Sequence, residues 1–82
     1  MFKLIEYKKE IIAIANKQNV SWDVAARMFL ANIRNAGHPD LPHYSGADEV
    51  PYASLQNKIP AQGTQEYSDM CREFDRAFQA KE

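Results

Sequence analysis

The run His38-Pro39-Asp40-Leu41-Pro42-His43 carries the residue types of a metal site. Two imidazoles and a carboxylate can form a facial arrangement with open coordination positions. That chemistry needs the three donors to converge. Four-residue spacing on a helix would bring two of them to one face, whereas a proline-punctuated loop guarantees no such geometry. These are the only 2 histidines of the chain. The expectation is a rigid surface loop, its histidines facing solvent or a helix end, with no bound metal or cofactor.

Cys71 is the one thiol and so the one candidate for thiol nucleophilic chemistry. It recurs at helical spacing with Tyr67, Met70 and Phe74, which places it on an apolar stripe. There a thiol packs as a small hydrophobe and its pKa rises. Asp48 and Glu49 pair two carboxylates, in loop context and without a framework that would form a pocket around them. The sequence contains no Gly-rich phosphate loop, no Gly-x-Ser-x-Gly and no His-Glu-x-x-His. A helical domain of 82 residues rarely encloses a substrate-sized pocket. A non-enzymatic protein is expected.

Residues 11–36 offer a second kind of chemistry, DNA recognition. The stretch from Ala15 to Ser21 looks like the first helix and turn of a helix-turn-helix, with Asn19 where glycine usually stands. Val24 would be the buried residue of the second helix, one position away from the usual spacing. Lys17, Arg27 and Arg34 would be the contacting cations. A recognition helix should bring several basic or amide groups to base edges and phosphates, yet Asp23 sits near its leading end. DNA binding is therefore the alternative reading, not the leading one.

The elements that position these residues follow from apolar spacing. A first helix is expected over 2–18. Ile14, Tyr7, Ile11, Leu4, Ala15, Ile12 and Ile5 cover about half of its circumference. An arc that wide implies two neighbours and hence a central place in the core. Lys8 falls inside the arc, where its stem can pack while the ammonium reaches water. Ser21 is a good N-cap for a second helix over 22–36. Trp22, Ala25, Ala26, Phe29, Leu30, Ile33 and Ala36 form its stripe. Val24, Met28 and Ala31, mixed with Asn32 and Asn35, form a minor strip that either packs under the following loop or is an exposed contact surface. Gly37 suits the position just past the helix, and Pro39 blocks continuation.

Residues 37–47 are dense in turn-formers. A short helix is possible over 48–58, with Asp48 as its cap, Pro51 in its first turn, Tyr52 and Leu55 facing inward and Ile59 just beyond. Thr64 caps a last helix over 65–80, on which Tyr67, Met70, Cys71, Phe74, Ala77 and Phe78 share a stripe. No segment alternates as a strand does. The fold class expected is all-α, a compact bundle of three helices with a possible short fourth, in one small domain.

Composition bounds the partners. Ten Lys and Arg stand against 11 Asp and Glu, a net charge of −1, with 45% hydrophobic residues. That excludes a disordered acidic tail and a generically basic nucleic-acid coat. The longest apolar run, Ile11 to Ala15, is far too short to cross a bilayer, so no membrane is expected. A single cysteine fits a reducing, cytoplasmic setting. The net charge hides a split. Residues 1–36 carry six cations and three acids, and residues 37–82 carry eight acids and four cations. Either the halves dock through these charges or they present a two-signed surface to a partner.

The expected function is a protein-binding module that occupies a surface of a larger protein, as small accessory and inhibitor proteins of phages and mobile elements do. Tyr44, Asp48, Glu49, Tyr52, Asp69 and Glu73 are its expected contacts, because aromatics anchor interfaces and the acids would meet a basic groove. A homodimer is possible through the first or second helix. Nucleic acid is a partner only under the alternative.

Overall fold

The structure is a computed structural model that describes residues 2–80 and the side chains of residues 2–77. Its described residues form four α-helices and two short 3₁₀ turns, with no strand. The helices are α1 (Lys8–Gln18), α2 (Trp22–Asn35), α3 (Tyr52–Leu55) and α4 (Gln65–Ala80). The all-α bundle with a short fourth helix is the observed fold. None of these helices is long and apolar enough to cross a membrane.

The helix expected over 2–18 is two pieces. Leu4–Tyr7 is a 3₁₀ turn, and the α-helix begins only at Lys8. In a 3₁₀ turn residues three apart eclipse, so Leu4 and Tyr7 fall on one side. Tyr7 stacks on Phe2, with ring centroids 5.5 Å apart, and leans on Phe29 at 5.2 Å. These contacts hold the tighter turn against the core. Helix α1 ends at Asn19, whose φ of 57° is left-handed. Asn tolerates that region because its short side chain bonds locally.

The core centres on α2, which corrects the expectation for α1. Ala25, Ala26, Phe29, Leu30, Asn32 and Ile33 of α2 are buried, against Ile11 and Ile14 of α1. Helix α2 packs on both α1 and α3. At the edge of the wide apolar arc of α1, Ile12 is 37% exposed. Arc width counts residue types, and the neighbours of α1 cover less than the whole arc.

Ser21 occupies the N-cap position of α2, but its side chain does not cap. Its hydroxyl donates to Asp23 Oδ1, and that oxygen accepts the Val24 N–H at 2.9 Å. The carboxylate thus takes over the satisfaction of a free helix-end donor. Helix α2 runs out at Asn35, and Gly37 follows with φ 84°.

The possible helix over 48–58 is shorter than expected. It starts at Tyr52, and Asp48 lies well before it rather than capping it. A 3₁₀ turn, Gln56–Lys58, finishes the segment. Tyr52 and Leu55 are buried, and Ile59 is half-buried beyond the end. Thr64 caps α4 as its type suggests, accepting the Tyr67 N–H at 3.2 Å. Met70 and Phe74 are each 2% exposed, while Tyr67, Cys71 and Ala77 are half-buried. The side chain of Phe78 and the whole of Lys81 lie outside the described residues.

Candidate functional site

Two asparagines on the minor strip of α2 decide where residues 37–47 run. Asn32 is fully buried and forms a reciprocal pair with the backbone of Tyr44: Nδ2 donates to the carbonyl at 2.8 Å, and Oδ1 accepts the N–H at 2.8 Å. This side-chain amide stands in for a second peptide unit, so both backbone groups of Tyr44 are satisfied. Asn35 Nδ2 adds a bond to the Pro42 carbonyl at 3.0 Å. From α1, Gln18 Nε2 donates to the Ser45 carbonyl at 2.9 Å. The Tyr52 hydroxyl donates to the Ala47 carbonyl at 2.7 Å. The loop is a strap fastened across the first two helices, and of the minor strip it holds Asn32, which is buried, and Asn35.

Gly46 lets the strap touch α1. Its φ is 137°, and a Cβ built there would lie 2.7 Å from the Ile14 Cα and 3.0 Å from the Ala13 carbonyl oxygen. Only a residue without a side chain allows this backbone-to-backbone approach.

The loop histidines and Asp40 are exposed. Among the described residues no three His, Cys, Asp or Glu side chains converge on a common point. His43 sets its ring edge-on to Tyr52, with centroids 5.4 Å apart.

The residues expected to contact a partner divide into three locations. Tyr52 is 6% exposed, so it is a core residue whose ring packs on Phe29 at 5.6 Å. Burial, followed by nearby acids, pushes its phenol pKa up, against a lowering hydrogen bond from Asn32. Tyr44 is half-buried in the strap. Asp48 and Glu49 are exposed and border a groove with Tyr7, Lys9 and Glu10. Asp69 and Glu73 lie on α4. With Glu66 they recur at three- and four-residue spacing and share one side of the helix.

One cavity has no counterpart in any motif or periodicity of the sequence. Helix α4 packs on the Leu4–Tyr7 turn and joins the start of α2 through an edge-on Trp22–Phe74 contact at 6.0 Å. Between α2 and α4 lies a cleft of about 740 Å³. Leu30, Tyr67, Cys71 and Phe74 line it together with Arg27, Arg34 and Arg72. Burial and the nearby Asp75 push the Cys71 thiol pKa up, with Arg27 opposing. That is the environment of a packed thiol, not of an activated nucleophile. Arg27 and Arg34 are exposed and border this cleft. Lys17 is exposed on α1. Val24 is half-buried, and Ala25 and Ala26 beside it are the buried residues.

Comparison of the chain with protein-family models, curated proteins and solved structures finds no match.

Proposed function

We propose that this chain is a non-enzymatic protein-binding module that acts by occupying a surface of a larger protein. One observation carries the reading. Among the described residues Asp48, Glu49 and Glu73 of the acidic half form no ion pair, and the pair within α4 is Asp69–Arg72 at 3.9 Å. Asp48, Glu49 and Glu73 are exposed. Unpaired surface charge of one sign steers encounter with a partner of the other sign. Asp48, Glu49, Asp69 and Glu73 are the contacts assigned to that partner.

Affinity capture from the native cell extract tests the reading. A tagged chain is compared with a variant carrying Asp48→Lys, Glu49→Lys, Asp69→Lys and Glu73→Lys. The expected result is a stoichiometric protein partner that the fourfold variant loses while its circular dichroism is unchanged. Capture of nucleic acid, in a complex that falls steeply with salt and is weakened by Arg27→Ala and Arg34→Ala, would replace this reading with the DNA-binding one.

A further inference from the structure

Where the strap leaves α1, past Gly46, lies a groove of about 620 Å³. Tyr7, Glu10 and Ala13 line it on one side, and Ala47, Val50 and Pro51 on the other. Both sides are fixed in place. Gly46 sits on the Ala13–Ile14 backbone, and the Ala47 carbonyl accepts the Tyr52 hydroxyl at 2.7 Å. The Tyr52 N–H in turn donates to the Val50 carbonyl at 2.8 Å. The groove is thus formed in advance, and an occupant need not order its walls.

Its charge is one-sided. Glu10 of α1 and Asp48 and Glu49 just past the strap line it, against one lining cation, Lys9. Among the described residues none of these four side chains forms an ion pair or a hydrogen bond. Lys9 and Glu10 are neighbours in a helix and so do not face each other. Even with Lys9 set against one acid, two carboxylates are left unmatched. Glu10 is half-buried, and Asp48 and Glu49 are exposed. Glu10 and Asp48, far apart in the chain, both act on the Tyr52 phenol and raise its pKa, so their fields meet at one place. Apolar walls beside charges of one sign focus that field.

We infer that this groove is the docking site for a basic peptide segment of a partner protein. The segment carries two or more Lys or Arg residues around an aliphatic side chain. Its cations meet Glu10, Asp48 and Glu49, and its aliphatic side chain seats on Ala13, Ala47 and Val50. Among the described residues no three His, Cys, Asp or Glu side chains are placed to hold one metal ion. The carboxylates are thus spread along the groove, which suits cations spaced along a chain and not a single ion that needs converging oxygens. A nucleic acid carries the sign of the groove and is repelled. The inference rests on the reading of the chain as a protein-binding module and deepens it. It adds Glu10, and it seats the segment at Asp48 and Glu49, apart from Asp69 and Glu73, which do not line the groove.

Selection of a random dodecapeptide library against the immobilised full chain tests it. Enriched peptides are expected to place Lys or Arg around a Leu, Val or Met. The best of them should bind more weakly as salt rises. On titration it should perturb the amide resonances of Glu10, Ala13, Ala47 and Val50. Glu10→Lys should weaken it about tenfold and Glu10→Gln less, with circular dichroism unchanged in both. A variant carrying Asp69→Lys and Glu73→Lys should bind it as the parent chain does.

The proposal is overturned by no enrichment, by enrichment without basic bias, by binding indifferent to Glu10→Lys, or by equal perturbation of the groove by polylysine. The last would mark a general polycation surface. A native partner that the parent chain captures and the Glu10→Lys variant retains would also overturn it, while leaving the protein-binding reading in place. Capture of no protein partner would overturn that reading itself, whichever peptides the groove selects.

Discussion

The two sides of α2 are built differently. On one side the strap and α1 are fastened by directed bonds: Asn32 to Tyr44, Asn35 to Pro42, Gln18 to Ser45, and Gly46 seated on the Ile14 backbone. On the other, α4 is held through Phe74 and Met70 and by packing on the Leu4–Tyr7 turn, and a cleft remains. Directed bonds admit one register and close the surface. Apolar contacts at one end of a helix anchor it and leave the rest open. One side is therefore closed by directed bonds, and the other keeps an open cleft.

Substitutions can break this contrast. The largest effect is expected from Gly46→Val, which forces a branched side chain into the α1 backbone at a φ that L-residues avoid. Strain and displacement together should cost about 3 kcal/mol or more, read as a lowered denaturant midpoint. Asn32→Ala comes next. It strands the N–H and carbonyl of Tyr44 beneath the strap, and should cost about 2–4 kcal/mol.

Phe74→Ala should cost about 3 kcal/mol at most, since the open cleft lets neighbours relax. Its signature is regional. Hydrogen exchange should quicken throughout α4 while the amides of α2 keep their protection. Equal loss in both helices would show that the two sides form one cooperative unit and would erase the contrast.

Smaller effects sharpen it. Tyr52→Phe leaves the Ala47 carbonyl without its donor and should cost about 1–2 kcal/mol. The folded-state pKa of Tyr52 is raised, so the stabilisation from the neutral phenol is whole below about pH 10. It is lost as pH rises from there through the folded value, because the unfolded state gives up its proton first. Denaturant midpoints should therefore fall above pH 10 more steeply in the parent chain than in Tyr52→Phe.

The smallest effect concerns Asp23. Its carboxyl is held below the ordinary range, first by the Ser21 hydroxyl and then by the Val24 N–H and nearby Arg27. Ser21→Ala should move it back toward about 3.9, as followed by carboxyl carbon resonances. The stability this interaction adds is present above that pH and is lost as pH falls through the folded value.

The amino-acid order made much of the helical framework readable. Periodicity placed the stripe of α2, and that of α4 over its described side chains, because burial of one face repeats with the helical turn. Thr64, Asn19 and Gly37 marked their boundaries through local chemistry. Other features were not readable. The minor strip of α2 was legible as either packed or exposed, and only the path of the strap showed that Asn32 is buried. Tyr52 looked equally suited to core and interface, since an aromatic serves both. Arg27 and Arg34 were readable as polar positions of α2, but not as the border of a cleft with α4.

The sequence by itself thus determined the helices, their inner faces and the split of charge, all consequences of residue type and short-range spacing. The tertiary structure decided that α2 and not α1 is the centre, that residues 37–47 form a strap, and that a cleft opens between α2 and α4. The physical reason is range. Asn32 reaches Tyr44 across 12 positions and Gln18 reaches Ser45 across 27. A cleft is space left between elements, and no single element encodes it.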